Sequence, residues 1–154
     1  MGVLLSDKHV LTAGHVVACP TIPFVRIELA NGKRYRVDVE RDAVTFEGAR
    51  PGEDGDLARL VIATDETFGL AVVPPVIATP APGDTLCVYA FKQRPACGSA
   101  FPVAHALEQP TPLGTSGAPV FDVELGALVG EDVASDHATN TRYAPLDVSW
   151  LKGT

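Results

Sequence analysis

Proline and glycine interrupt this chain so often that no long helix can run through it. Thirteen prolines and fourteen glycines are scattered over 154 residues. Each proline removes a backbone donor and crowds the preceding helical turn. The pieces left between them are short, and their apolar period is that of strands. Val3-Leu4-Leu5 and His9-Val10-Leu11 flank Ser6-Asp7-Lys8 as a tight hairpin. Residues 24–29 and 33–39 alternate apolar and polar side chains around Asn31-Gly32. That pair predicts a two-residue turn with positive φ at both positions. Further strands are expected at 44–46, 57–63, 70–73, 86–91, 100–107, 117–122, 127–133 and 141–144. Only two segments read as helical: a single turn after Thr12-Ala13-Gly14-His15, and 145–152, with Pro145 in its first turn and Gly153 just past its end. Many short strands divided by turn residues imply an all-β fold of antiparallel sheets closed into a barrel or sandwich. A proline-rich stretch over 73–83 divides the chain into two halves.

Composition narrows the function classes. The length suits one domain over 1–154, and 46% hydrophobic against 20% charged residues excludes wholesale disorder. A net charge of −7 argues against nucleic acid as a partner, which would require a basic face. No apolar run approaches the ~20 residues of a membrane span. The opening Met1-Gly2-Val3-Leu4-Leu5-Ser6-Asp7-Lys8 lacks the basic segment and the apolar length of a signal peptide, and the compartment stays open. Cys19, Cys87 and Cys97 include no C-x-x-C pair, which argues against zinc and against a framework of several bridges. One bridge across a hairpin, Cys87 to Cys97, and three reduced thiols are both open readings.

Three short constellations carry chemistry. In Leu11-Thr12-Ala13-Gly14-His15-Val16-Val17 a strand ends in small residues and delivers a histidine into a helical turn. Asp54-Gly55-Asp56-Leu57-Ala58-Arg59-Leu60 places an acid directly ahead of an apolar strand. Gly114-Thr115-Ser116-Gly117-Ala118-Pro119-Val120-Phe121 sets a serine in a glycine-flanked turn that runs into a strand. A serine hydroxyl is a poor nucleophile near neutral pH and needs a base, for which imidazole is suited. The imidazole in turn needs a buried carboxylate to hold its tautomer and stabilise its cation. Glycines around the serine let two backbone N–H groups converge where an oxyanion would form. The chain order His, Asp, Ser is that of the chymotrypsin template.

These residues resemble the three active-site motifs of the trypsin/chymotrypsin-like serine proteases, most closely the compact bacterial peptidases of the high-temperature-requirement type. Pro82-Gly83-Asp84-Thr85-Leu86-Cys87-Val88 resembles that family's entry into its second barrel, Gly126-Ala127-Leu128-Val129-Gly130 its strand after the nucleophile, and 142–151 its closing strand and C-terminal helix. The resemblance implies two antiparallel Greek-key β-barrels, over about 1–73 and 83–144, with a short C-terminal helix at 145–152. It implies His15 as general base and acid, Asp56 as its orienting partner and Ser116 as nucleophile, with the N–H groups of Gly114 and Ser116 as the oxyanion hole. No metal or cofactor enters such a reaction, and the partner is a polypeptide substrate.

Three departures from the pattern stand out. Thr115 replaces an acid or amide, and Ala118 replaces a glycine. A threonine cannot form the carboxylate-to-amino-terminus salt bridge of trypsin-type zymogens, so that control is expected to be absent. The family's first strand is missing before Gly2-Val3-Leu4-Leu5, which implies an upstream segment, an open barrel edge, or a regulatory domain or partner that supplies the strand.

Asp54 is the rival to Asp56. Asp136-His137 prompts an α/β-hydrolase order, which fails because Pro119-Val120-Phe121 reads as strand and position 118 is not glycine. His9, His105 and His137 read as structural or surface residues. The primary substrate pocket is expected around Pro110, Thr111, Val133, Ala134, Ser135 and Ala138, and is expected to accept a small or apolar side chain. The function expected is a serine endopeptidase working through an acyl-enzyme; the alternatives are a catalytically silent protease-fold binding module and an esterase using the same groups.

Overall fold

The computed structural model describes residues 1–18, 24–40, 50–62 and 67–154. Among these, eleven strands form two antiparallel sheets. The first contains β1 (Val3–Leu4), β2 (His9–Ala13), β3 (Phe24–Glu28), β4 (Arg34–Glu40) and β5 (Leu57–Ile62) in the order β1-β2-β5-β4-β3. The second contains β6 (Thr85–Val88), β7 (Ala96–Ser99), β8 (Ala106–Leu107), β9 (Pro119–Asp122), β10 (Ala127–Ser135) and β11 (Thr141–Pro145) in the order β7-β6-β9-β10-β11-β8. The molecule is all-β, with the chymotrypsin-like architecture that the motifs imply. No helix among the described residues is long and apolar enough to cross a membrane.

Alternation along the strands sorts their side chains into three apolar clusters. Val10, Ala58, Leu60 and Phe68 pack inside the first sheet, and Leu86, Val120, Val129 and Tyr143 inside the second. Between them lies a shared cluster of Leu5, Leu11, Leu57, Leu128, Leu146 and Trp150. On β2, Val10 points into one cluster and Leu11 into the other; on β10, Val129 and Leu128 divide in the same way. Both strands are therefore buried on both faces. Each large apolar side chain removed from water contributes about 1.5–3 kcal/mol, so this seam holds the two halves in a fixed relation. The candidate site sits beside it.

Several expectations are corrected in detail. The Asn31-Gly32 turn has positive φ only at Gly32 (82°). Leu29 N–H donates to Lys33 O and Gly32 N–H to Leu29 O, both at 2.9 Å, so the loop has three residues and ends on a left-handed glycine. Asn31 Oδ1 instead accepts from Lys33 N–H at 2.9 Å. The strand expected at 70–73 does not form; Val73 is 85% exposed, and the two prolines that follow have no N–H to give a ladder. The strand expected at 100–107 is interrupted after Ala100 by a loop containing Pro102, which Phe101 N–H closes onto Ala106 O at 3.0 Å.

The helix expected at 145–152 shrinks to one 3₁₀ turn, Val148–Leu151, capped by Asp147 accepting from Ser149 N–H at 2.8 Å. Pro145 is drawn into β11 opposite Gly130, because sheet pairing outweighs a weak local helix preference. Cys87 and Cys97 lie opposite each other on β6 and β7 and form a disulfide, which decides between the two thiol readings for that pair. Cys19 and the strand expected at 44–46 lie outside the described residues.

Candidate active site

Strand register brings His15 to Asp56. β2 and β5 pair antiparallel with Ala13 opposite Leu57, so the residues just beyond them, one chain leaving the sheet and the other entering it, meet at the same end. Gly14 N–H donates to Asp56 O at 2.9 Å, and the chain then closes into the 3₁₀ turn Gly14–Val17, which carries the imidazole. The Asp56 side chain is buried and accepts three hydrogen bonds. Oδ1 takes His15 N–H at 2.7 Å, while Oδ2 takes Gly52 N–H at 2.8 Å and His15 Nδ1 at 2.5 Å. An ionised carboxylate only accepts, so Nδ1 carries a proton and the neutral ring presents the Nε2 lone pair. Asp54, the rival acid, is exposed; it pairs with His105 Nδ1 at 3.0 Å and lies 3.6 Å from Arg142, away from His15.

The serine turn is built from the second half of the chain. Gly114 and Gly117 have φ of 84° and 83°. Gly117 needs this conformation and also lacks the room for a side chain: a Cβ there would collide with Met1 O and Thr12 Oγ1 and come within 3.0 Å of Ala13 N. The close approach fits the serine turn onto the end of β2, next to the histidine turn. Gly117 N–H donates to Asp132 O at 2.7 Å, Ala118 N–H to Thr115 O at 2.9 Å, and the Met1 amino group to Ser116 O at 2.7 Å. Among the described residues the N–H groups of Gly114 and Ser116 have no acceptor. The half-buried Ser116 hydroxyl makes no hydrogen bond either, to His15 or to any other described residue. Such bonds are commonly long in proteases without substrate and tighten when it binds.

Beside Ser116 opens a cavity of about 220 Å³, lined in part by Gly114, Ser116, Asp132, Ala134, Ser135 and His137. Of the expected pocket residues, Val133, Ala134 and Ser135 line it. Pro110 and Thr111 line two neighbouring cavities instead, and Ala138 lines none of the three. Asp132 was not among the expected pocket residues, and His137, which also lines the cavity, was read as a structural or surface residue. Asp132 is 1% exposed; its Oδ2 accepts from Thr115 Oγ1 at 2.7 Å and Thr111 Oγ1 at 2.9 Å. Burial pushes its carboxyl above the ordinary range, opposed by the two hydroxyls and by the charges of His15 and the Met1 amino group. The readable signal was two threonines near the serine and a charged pair inside an apolar strand. His137, at a positive φ of 57°, holds Thr111 O through Nδ1 at 2.8 Å on the pocket rim. Asp136, its neighbour, binds the backbone N–H groups of Ala138, Thr139 and Asn140, a loop-capping role.

Next to Asp132, Glu131 is fully buried and neither side-chain oxygen has a hydrogen-bond partner among the described residues. Burial raises its carboxyl well above the ordinary range; the Met1 amino group pulls the other way and the charge of Asp132 adds to the rise.

The family model for trypsin matches residues 1–109, a span that holds His15 and Asp56 and ends before Ser116. The chain belongs to the trypsin family. It is a serine-type endopeptidase by that membership, and polypeptides are its substrates. No curated protein is significantly similar in sequence. Among solved structures, this trypsin-family chain is similar to a serine endoprotease from Yersinia pestis, with 21% identity, TM-score 0.65, and coverage of 94% of this chain and 52% of that one. It is similar to the human pathogenic astrovirus serine protease, with 18% identity, TM-score 0.62, and coverage of 96% and 83%. The MamO protease domain from Magnetospirillum magneticum follows, with 21% identity, TM-score 0.61, and coverage of 93% and 82%. At these identities the likeness establishes the fold.

Proposed function

We propose that this protein cleaves peptide bonds through an acyl-enzyme formed on Ser116. The observation that carries the reading is Asp56 gripping His15 at both its backbone N–H (2.7 Å) and Nδ1 (2.5 Å), with a glycine-flanked serine turn packed on the end of β2 whose Gly114 and Ser116 N–H groups have no acceptor among the described residues. Ser116 Oγ attacks the scissile carbonyl as His15 Nε2 takes its proton, and Asp56 stabilises the resulting imidazolium. The oxyanion is received by the N–H groups of Gly114 and Ser116. His15 then gives its proton to the departing amine. Water, activated by the same imidazole, releases the new carboxyl product.

The side chain before the scissile bond enters the cavity beside Ser116. With the buried carboxylate of Asp132 in its wall, that cavity suits a lysine or arginine better than the small apolar side chain expected from sequence.

A fluorophosphonate probe tests the reading. Wild type is expected to be labelled on Ser116 and to hydrolyse peptide amides, while Ser116→Ala loses both and unfolds at the same denaturant concentration. Equal labelling of the two proteins would refute the nucleophile assignment and leave a protease fold used for binding.

A further inference from the structure

Three acidic side chains meet on the second sheet, away from Ser116. Asp84 lies in the turn entering β6, Asp122 ends β9, and Glu124 lies in the turn between β9 and β10. The register that sets Leu86 opposite Asp122 carries all three to one end of the sheet. One carboxylate oxygen from each falls within 4.8 Å of the others. Backbone donors hold each group in place by a single oxygen. Ala81 N–H binds Asp84 Oδ2 at 2.9 Å, and Thr85 N–H binds Glu124 Oε2 at 2.9 Å. The N–H groups of Glu124 and Leu125 both bind Asp122 Oδ1 at 3.0 Å.

The second oxygen of Asp122 decides the matter. Asp122 is 0% exposed, and its Oδ2 is buried and accepts no hydrogen bond from any N–H or O–H donor among the described residues. The group within hydrogen-bond reach of its carboxyl is the like-charged carboxyl of Asp84, which could bond to it only by holding a proton, and among the described residues no lysine, arginine or histidine pairs with any of the three. Burial and Asp84 both push the Asp122 carboxyl up, against the pull of its two backbone donors. A buried carboxylate facing another carboxylate is costly unless something positive lies between them. Hard divalent cations take such oxygens: calcium binds them at about 2.3–2.6 Å, so ligands on opposite sides of the ion stand roughly 5 Å apart. Exposed Glu124 leaves one side open to water, which completes the coordination.

We propose that Asp84, Asp122 and Glu124 form a binding site for a divalent cation, with calcium the ion that fits. The site is structural: it clamps the turn entering β6 to the turn leaving β9, and it is independent of the chemistry assigned to Ser116. Nothing in the proposed peptide hydrolysis passes through it.

The test is calcium titration of the intact protein, stripped beforehand with a chelator, followed by calorimetry and thermal unfolding. Binding of one ion is expected, with a rise in Tm of roughly 5–10 °C at a hundredfold excess over Kd. Asp122→Asn should abolish both effects. Should that variant fail to fold, Glu124→Gln, at an exposed position, should weaken calcium binding at least tenfold while peptide hydrolysis stays unchanged. The proposal is overturned if calcium produces neither binding heat nor a Tm rise in the wild-type protein, or if the variants respond as fully as wild type. In the first case Asp84 and Asp122 share a proton, and Tm rises on mild acidification instead.

Discussion

Replacing Asp56 by asparagine keeps its shape and removes what the carboxylate alone provides. Three donors converge on this side chain, two of them on Oδ2 and one on Oδ1. An amide has a single acceptor oxygen, so it cannot satisfy both sets. With its oxygen at the Oδ1 position it keeps His15 N–H, but turns its NH₂ toward Gly52 N–H and the ring. Nδ1 must then become the acceptor, which moves the proton to Nε2 and leaves no lone pair facing the serine. With its oxygen at the Oδ2 position it keeps the ring and Gly52, but sets NH₂ against His15 N–H. Either way at least one buried N–H loses its partner, a cost of about 1–3 kcal/mol in stability. The imidazolium formed during attack also loses its counter-charge. The wrong tautomer costs about 10⁴ in kcat in the template enzyme, and a loss of about 10³–10⁴-fold is expected here. Steady-state hydrolysis of a peptide amide, with urea unfolding of the same samples, measures both quantities. A folded Asp56→Asn protein retaining activity within tenfold of wild type would refute the argument.

Two further outcomes follow from the buried acids of β10. Glu131 has a raised carboxyl, so the folded chain keeps a proton that the unfolded chain releases; this costs stability as pH rises above the ordinary glutamate range, and the loss persists above the raised folded value. Glu131→Gln should therefore show a smaller fall in urea midpoint between pH 5 and pH 8 than wild type, and superimposable pH profiles would contradict the reading. Asp132→Asn keeps an oxygen for the hydroxyls of Thr111 and Thr115 but removes the charge, so kcat/KM for peptides with lysine or arginine before the cleaved bond should fall about 10–100-fold. Peptides with alanine there should change little; a uniform loss across substrates would instead indicate a general disturbance of the serine turn.

Local pattern carried much of this molecule. Proline and glycine spacing excluded long helices, alternation marked most of the strands, and the small-residue run before His15 with the glycines around Ser116 marked the turns that hold them. Those signals are local because turn geometry and strand period depend on a few neighbouring residues. Other features depend on contacts between distant segments. Pro145 joins a strand because Gly130 lies opposite it, and the helix expected there is reduced to one turn. Asp56 rather than Asp54 reaches His15 because the pairing of Ala13 with Leu57 sets residue 56 against the histidine turn, where Gly14 N–H meets its carbonyl. Asp132 enters the wall beside Ser116, and Asp122 meets Asp84 and Glu124, only after sheet register has brought segments far apart in the chain side by side. The sequence by itself determined the class of fold and the chemical groups available. Tertiary packing decided which charges are buried and what each one faces, because burial and electrostatic pairing are properties of neighbours in space.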